Sequence, residues 1–251
     1  MNHICKKINR LPARGFTLVE LLVVISIIAL LMSILVPSLG KAKSAALRVK
    51  CAHNLKQVNL SLNFYMDRND DTYPCAEDPV DPCVPGVWLW MGRGWRSLVE
   101  PYIGTGTVRS IESILFCPQD LAAKKSQVTT GIFDYTSYAY SMCFYHTPEQ
   151  INLIKNPQAQ YAPASVQPSL RQKRFNVARP AEKIVIGEWD SNHLLISGND
   201  PGWWGRQGSR NFIFADGRVA YLKAGEIRKA NDGNANPNVT VNGIRGVDWP
   251  P

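Results

Sequence analysis

The chain has 251 residues, 45% of them apolar and 19% charged, with a formal net charge of +8. Four of its basic residues, Lys6, Lys7, Arg10 and Arg14, lie in the first fifteen positions, and without them +8 falls to +4, a weak argument for nucleic acid or any other anionic partner. Low-complexity stretches and internal repeats are absent, and the length suffices for one globular domain with its own core.

The first element in chain order is the apolar run that begins at Phe16 and ends at Val36. As a helix it is about 31 Å long at ~1.5 Å per residue, enough to cross a hydrocarbon layer of about 30 Å. Glu20 interrupts it, and a carboxylate within a span calls for a partner. If the chain is cut after Gly15, Phe16 gains an α-amine that can pair with Glu20 of a neighbouring copy. The basic, acid-free leader favours a cytoplasmic N-terminus, with everything after Pro37 on the other side. An ordinary secretory signal has a shorter apolar core, although Ala42-Lys43-Ser44 loosely imitates its cleavage site; a plain uncleaved anchor is the other reading.

The string Gly15-Phe16-Thr17-Leu18-Val19-Glu20-Leu21-Leu22-Val23-Val24-Ile25 resembles the prepilin signature of type IV pilins and of the pseudopilins of type II secretion systems. The resemblance implies that a prepilin peptidase, a membrane aspartyl enzyme, removes the leader after Gly15 and N-methylates Phe16. It assigns Glu20 to methylation and subunit registration, and Pro37 falls where many of these pilins carry a helix-bending proline. The partners it implies are that peptidase, other pilin or pseudopilin subunits and the inner membrane.

After the span, Ala42, Ala45, Ala46, Val49, Leu55, Val58, Leu62 and Tyr65 recur at three-four spacing, which predicts that the helix continues as an amphipathic segment over 37–66. The expected organisation is therefore a cleaved leader (1–15), a membrane or filament-core helix (16–36), its continuation (37–66), an extracytoplasmic α+β domain (67–230) and a loosely ordered tail (231–251) rich in Asn, Gly and Pro. Cys51-Ala52-His53-Asn54-Leu55-Lys56-Gln57, Phe116-Cys117-Pro118-Gln119-Asp120, Ser137-Tyr138-Ala139-Tyr140 and Phe214-Ala215-Asp216-Gly217 are similar to motifs of a prepilin-like subfamily found in planctomycetes and related bacteria. That subfamily ends in a module written His, nine residues, Asp-Gly, but here Arg206 stands at the histidine position.

Strands are expected at Ser137 to Phe144, at Ile184 to Trp189, and at Asn211 to Ala215 and Arg218 to Leu222, the last two joined by Asp216-Gly217 in a type I′ turn. A small antiparallel sheet packed on the long helix follows, an α+β, type IV pilin-like fold.

Five cysteines remain beyond the leader, an odd number in an oxidising compartment. Cys75 and Cys83 bracket a proline-rich loop and form the preferred disulfide, with Cys117 and Cys143 a weaker pair. Zinc is disfavoured because no Cys-x-x-Cys or His-x-x-x-His spacing occurs. Asp67, Asn69, Asp70 and Asp71 offer oxygen ligands of the kind calcium uses, yet Thr72 and Asp78 stand where an EF-type loop needs Gly and Glu. A solvated helix-ending turn is the simpler reading. His53, His146 and His193 have no obvious carboxylate or nucleophile beside them, so no catalytic residue is expected. Trp88, Trp90, Trp95, Trp203 and Trp204, with Arg93, Arg96 and Arg206 nearby, could form a carbohydrate or partner surface, although core and loop packing is the favoured explanation. Arg171, Lys173, Arg174 and Arg179 read as a solvated basic loop rather than a DNA site. The expected function is that of a non-enzymatic structural subunit of a pilus-like or pseudopilus filament. The alternative is an anchored extracytoplasmic binding protein, such as a glycan binder, that does not polymerise.

Overall fold

The computed structural model describes residues 16–75, 94–104, 114–120, 137–154, 169–194, 202 and 207–250. The leader, Cys83, Trp88, Trp90, Trp203, Trp204 and Arg206 lie outside the described residues. The chain divides into two units, Met1–Ser44 and Ala45–Pro251. One helix, α1 (Leu18–Asp67), contributes to both.

In the first unit α1 is apolar all round. Leu18, Ile25, Leu31, Leu35 and Leu39 are exposed on every side of it, so it has no buried face of its own. Its few hydroxyls turn inward: Ser26, Ser33 and Ser38 donate to the carbonyls of Val23, Leu30 and Leu35 at 2.8, 2.7 and 2.8 Å. Such back-bonding removes the cost of carrying a hydroxyl into an apolar medium. Pro37 sits inside the helix, where its missing N–H leaves the Ser33 carbonyl without its usual donor.

In the second unit one face of α1 becomes buried. Cys51, Asn54, Leu55, Val58, Leu62 and Tyr65 follow a three-four spacing, while Val49, expected on that stripe, is 65% exposed. The buried stripe starts at Cys51, one turn after the sheet first touches the helix at Arg48, whose carbonyl accepts from Asn211 Nδ2 at 3.4 Å and whose guanidinium lies 4.7 Å from the centre of the Tyr221 ring. The sheet has four antiparallel strands in chain order, β1 (Tyr138–Tyr140), β2 (Ile184–Glu188), β3 (Ser209–Phe214) and β4 (Val219–Lys223). Registers pair Tyr140 with Ile186, Gly187 with Phe212, and Phe212 with Ala220. Gly187 is required where it stands, because a Cβ there would strike the Phe212 ring.

Strand alternation sorts the side chains, except that a break in register between Ile184 and Ile186 puts those two on opposite faces. Tyr138, Tyr140, Ile186 and Ile213 join Leu55, Val58 and Leu62 in the main core; Ala139, Ile184, Phe212, Phe214 and Leu222 form a second layer on the other face. Trp95, in the short helix α2 (Trp95–Val99), lies in the main core with its ring 5.5 Å from that of Tyr140. Arg96 is buried as well, so neither belongs to a glycan-binding surface. The strand expected over Ser137 to Phe144 is shorter, because a 3-10 turn at Met142–Phe144 takes over after Tyr140.

Two further expectations are corrected. The Asp216-Gly217 connection is not a type I′ turn, which needs positive φ at both central residues. Only Gly217 has it (φ 87°); the N–H of Gly217 donates to the Phe214 carbonyl at 2.8 Å and the N–H of Phe214 to that of Arg218 at 3.0 Å. Asp216 instead accepts from the Arg218 N–H through its side chain at 3.0 Å, so its carboxylate shapes the loop without a left-handed backbone. The tail is not loosely ordered. Asn238, Val239 and Ile244 are fully buried, and Asp248, with its side chain 3% exposed, forms an ion pair of 3.0 Å with Lys183, itself wholly buried. The segment lacks an apolar period because polar groups hold it: Ser141 Oγ donates to the Pro237 carbonyl at 2.7 Å, the Met142 N–H to Asn238 Oδ1 at 3.2 Å, and the Ile184 N–H to Asp248 Oδ2 at 2.8 Å.

Candidate functional site

The start of α1 is organised by Thr17 and Glu20. Thr17 is the last non-helical residue, and its Oγ accepts from the Glu20 N–H at 3.2 Å. In return Glu20 Oε2 accepts from the Thr17 N–H and from the Thr17 hydroxyl, each at 2.8 Å. This is a capping box: a threonine and a glutamate three positions apart satisfy two amide donors that a helix start otherwise leaves bare. Thr147 and Gln150 repeat the device at the head of α3 (Pro148–Leu153). The carboxylate that seemed misplaced in an apolar run thus has a local reason to be there. It also lies at the positive end of the helix dipole, where an anion is favoured.

Phe16 is 71% exposed immediately before this cap. Glu20 and the residues after it to Val36 are exposed too. Gly15, the expected cleavage position, lies outside the described residues. Among the described residues, α1 is long enough and apolar enough to cross a membrane.

The calcium candidates sit in the turn that ends α1. Arg174 reaches Asp67 Oδ1 at 2.8 Å and Asp71 Oδ1 at 3.5 Å, and Asn69 Nδ2 donates back to the Tyr65 carbonyl at 2.8 Å. Asp70 and Asp71 adopt positive φ, 52° and 55°. A guanidinium therefore stands between two of the four proposed ligands, and a third points its amide at the helix. For the preferred disulfide, Cys83 is outside the described residues. The weaker pair is not formed: Cys143 Sγ faces the carbonyls of Pro237 and Asn238 at 3.4 and 3.3 Å, whereas Cys117 lies in a different cluster.

That cluster is what reading the motifs one by one missed. Cys51 from α1, Cys117 from the loop after Phe116, Glu188 from the end of β2 and His193 from the turn that follows present four donor atoms within 4.8 Å of one another. The side chains of Glu188 and His193 are 0% and 1% exposed, and the two cysteines are buried. His193 Nε2 lies 2.8 Å from Glu188 Oε1 and 3.5 Å from Cys117 Sγ. On the other side of the ring, His193 Nδ1 meets the side-chain oxygen of Gln119. Burial disfavours the imidazolium, but the bonds to Cys117 and Glu188 and the Glu188 charge outweigh it and raise the histidine to about 9. The Cys51 contact and burial hold the Cys117 thiol far above its ordinary range. His193 therefore has the carboxylate partner that the sequence did not reveal. Two signals pointed to it: cysteines inside two separate quoted motifs, and a single carboxylate, Glu188, closing an otherwise apolar strand.

Residues 10–36 match the family described as the prokaryotic N-terminal methylation motif. The comparisons with curated proteins and with solved structures returned no significant match. The chain thus carries a prepilin-type methylation signal, pilin- or pseudopilin-like, at the head of an apolar helix of membrane-spanning length.

Proposed function

We propose that this protein is a non-enzymatic structural subunit of a type IV pilus-like or type II secretion pseudopilus filament. A prepilin peptidase cuts it after Gly15 and N-methylates Phe16. The subunit then waits in the inner membrane, with its C-terminal domain outside the cytoplasm, until it is drawn into a filament with other pilin or pseudopilin subunits. The observation that carries this reading is a methylation motif that runs into a capped apolar helix, exposed from Phe16 to Val36.

The chemistry follows from the cap. Cleavage after Gly15 gives Phe16 an ammonium group one residue before Thr17. Both Thr17 bonds go to Glu20 Oε2, and the other carboxylate oxygen would accept from the ammonium of an adjacent copy. Lipid and the packed helices of a filament are both apolar surroundings for the same surface, but only the filament brings a cation to Glu20. Pro37 marks the position where the helix can bend on passing from one environment to the other.

Intact mass and N-terminal sequencing of the cellular protein provide the direct test. The expected mature chain begins with N-methyl-Phe16; a chain that begins at Met1, or near Ser44, overturns the proposal. Glu20→Ala should keep membrane insertion and lose filaments or secretion, and normal assembly by that variant would remove Glu20 from the mechanism.

A further inference from the structure

We propose that Cys51, Cys117, Glu188 and His193 form a structural zinc site that ties α1 to the sheet. Four protein donors in S2NO composition are the set zinc takes when no open position is left for a substrate. Thiolates and imidazole together favour zinc over the hard cations calcium and magnesium, which select oxygen.

Tetrahedral zinc, with bonds of about 2.0 to 2.3 Å, places its donors roughly 3.3 to 3.8 Å apart. The separation of Cys117 Sγ and His193 Nε2, 3.5 Å, lies in that range. Glu188 Oε1 and His193 Nε2, at 2.8 Å, are at hydrogen-bond distance and must part by about half an ångström when an ion replaces the shared proton. All four donors already fall within 4.8 Å, so small side-chain rotations suffice.

The surroundings orient each donor as zinc sites require. Gln119 engages Nδ1 of His193 and so directs Nε2 towards Cys117 and Glu188. The Asn211 N–H donates to Glu188 Oε2 at 2.9 Å, which turns Oε1 to the centre of the cluster. The Cys117 N–H donates to Ser137 Oγ at 2.9 Å and fixes the loop that carries the thiol. Asn54 Nδ2 reaches the Phe116 carbonyl at 3.3 Å, joining that loop to α1 one turn after Cys51. Two motifs that appeared unrelated in the sequence, Cys51-x-x-Asn54 and Cys117-Pro118-Gln119, therefore build one site. Binding releases to solvent the two thiol protons and the one that His193 Nε2 shares with Glu188, and it adds a cross-link between elements far apart in the chain.

The rival arrangement for the same residues is a disulfide between Cys51 and Cys117, and the experiment separates the two. The full-length chain is purified in detergent without chelator, and its zinc is measured by elemental analysis. About one zinc per chain is expected, with neither Cys51 nor Cys117 in a disulfide on non-reducing peptide mapping. After chelation, addition of cobalt(II) should give thiolate-to-cobalt charge-transfer absorption. Cys51→Ser, Cys117→Ser and His193→Ala should each lose the metal, while Cys143→Ser should keep it. Gln119→Leu, which leaves all four ligands in place, should weaken zinc about 10- to 100-fold while the fold is retained. A zinc-free chain that gives no cobalt–thiolate absorption once reduced, or a Cys51–Cys117 disulfide in the isolated protein, overturns the proposal. So does zinc content unchanged in Cys117→Ser.

Discussion

Replacing Asp248 by Ala removes one partner of a buried ion pair and leaves Lys183, wholly buried, with its charge uncompensated. Lys183 Nζ would keep a bond of 2.6 Å to Thr240 Oγ and a distant contact with the Phe144 ring, neither of which is an anion. The Ile184 N–H, at the start of β2, loses its acceptor in the same change. Breaking a buried pair from one side costs about 3 to 5 kcal/mol, a large part of the 5 to 15 kcal/mol that holds a typical domain together. At about 2 to 4 °C per kcal/mol for a domain of roughly 200 residues, the melting temperature should fall by about 6 to 20 °C. Thermal unfolding of the full-length protein in detergent, followed by near-ultraviolet circular dichroism, measures this. The double variant Lys183→Met with Asp248→Leu should recover much of the loss, because two apolar side chains leave no stranded charge. If Asp248→Ala melts within about 2 °C of the parent, the pair is not what holds the tail against β2, and the reasoning fails.

Two other predictions concern α1 and the buried histidine. Leu55→Ala, at a fully buried position, should cost about 2 to 5 kcal/mol, whereas Val49→Ala, only two turns away but 65% exposed, should stay within about 0.5 kcal/mol; denaturant midpoints of the two variants give the comparison, and equal losses would contradict the described packing. His146 is 3% exposed, and burial lowers it to about 4, with a partial offset from Gln150. Since its folded value lies below its unfolded one, the unfolded chain binds the extra proton: stability is complete above about 6.5 and falls as pH drops towards 4, by about 3 kcal/mol from this residue. The difference in stability between the parent and His146→Gln should therefore change across that window, and a constant difference would refute the assignment.

Much of the fold was legible because its signals are local. An uninterrupted apolar run announced the span, three-four spacing announced the buried face of α1, and β-rich runs around Asp216-Gly217 announced β3 and β4. The Thr17-x-x-Glu20 box was written in the sequence as well, although a glutamate inside a span drew attention to a distant partner before a local one. The tail was misjudged because hydrophobic periodicity cannot register a segment held by Asn236, Asn238, Thr240 and Asp248, whose burial depends on partners in other parts of the chain. The Cys51, Cys117, Glu188 and His193 cluster escaped for the same reason. Metal-site spacing rules recognise ligands that are close in sequence, and here only Glu188 and His193 are, five positions apart, whereas Cys117 and His193 are separated by 76 positions. Only antiparallel pairing, which sets the end of β2 beside β3 and next to α1, brings them together.

The contrast along α1 joins the two sites. Before Gly40 the helix satisfies its own hydroxyl groups and, apart from the Ser33 carbonyl opposite Pro37, its own backbone, and it offers an apolar surface in all directions, which is stable only in lipid or among other such helices. From Cys51 onward the same helix is fixed to the sheet through one face. In a filament subunit, any load applied along the first part enters the folded domain through the second, and Cys51 is the first fully buried residue that it meets. A hydrophobic stripe resists removal in proportion to its area, and it resists sliding by one turn as well, because Cys51 or Asn59 would then take the place of Leu55, and Ser61 or Asn69 that of Tyr65. A metal ligand would add to that resistance, since no other thiol lies one turn away on α1. The proposed zinc would therefore reinforce the register set by apolar packing, at the point where the apolar helix becomes part of the domain.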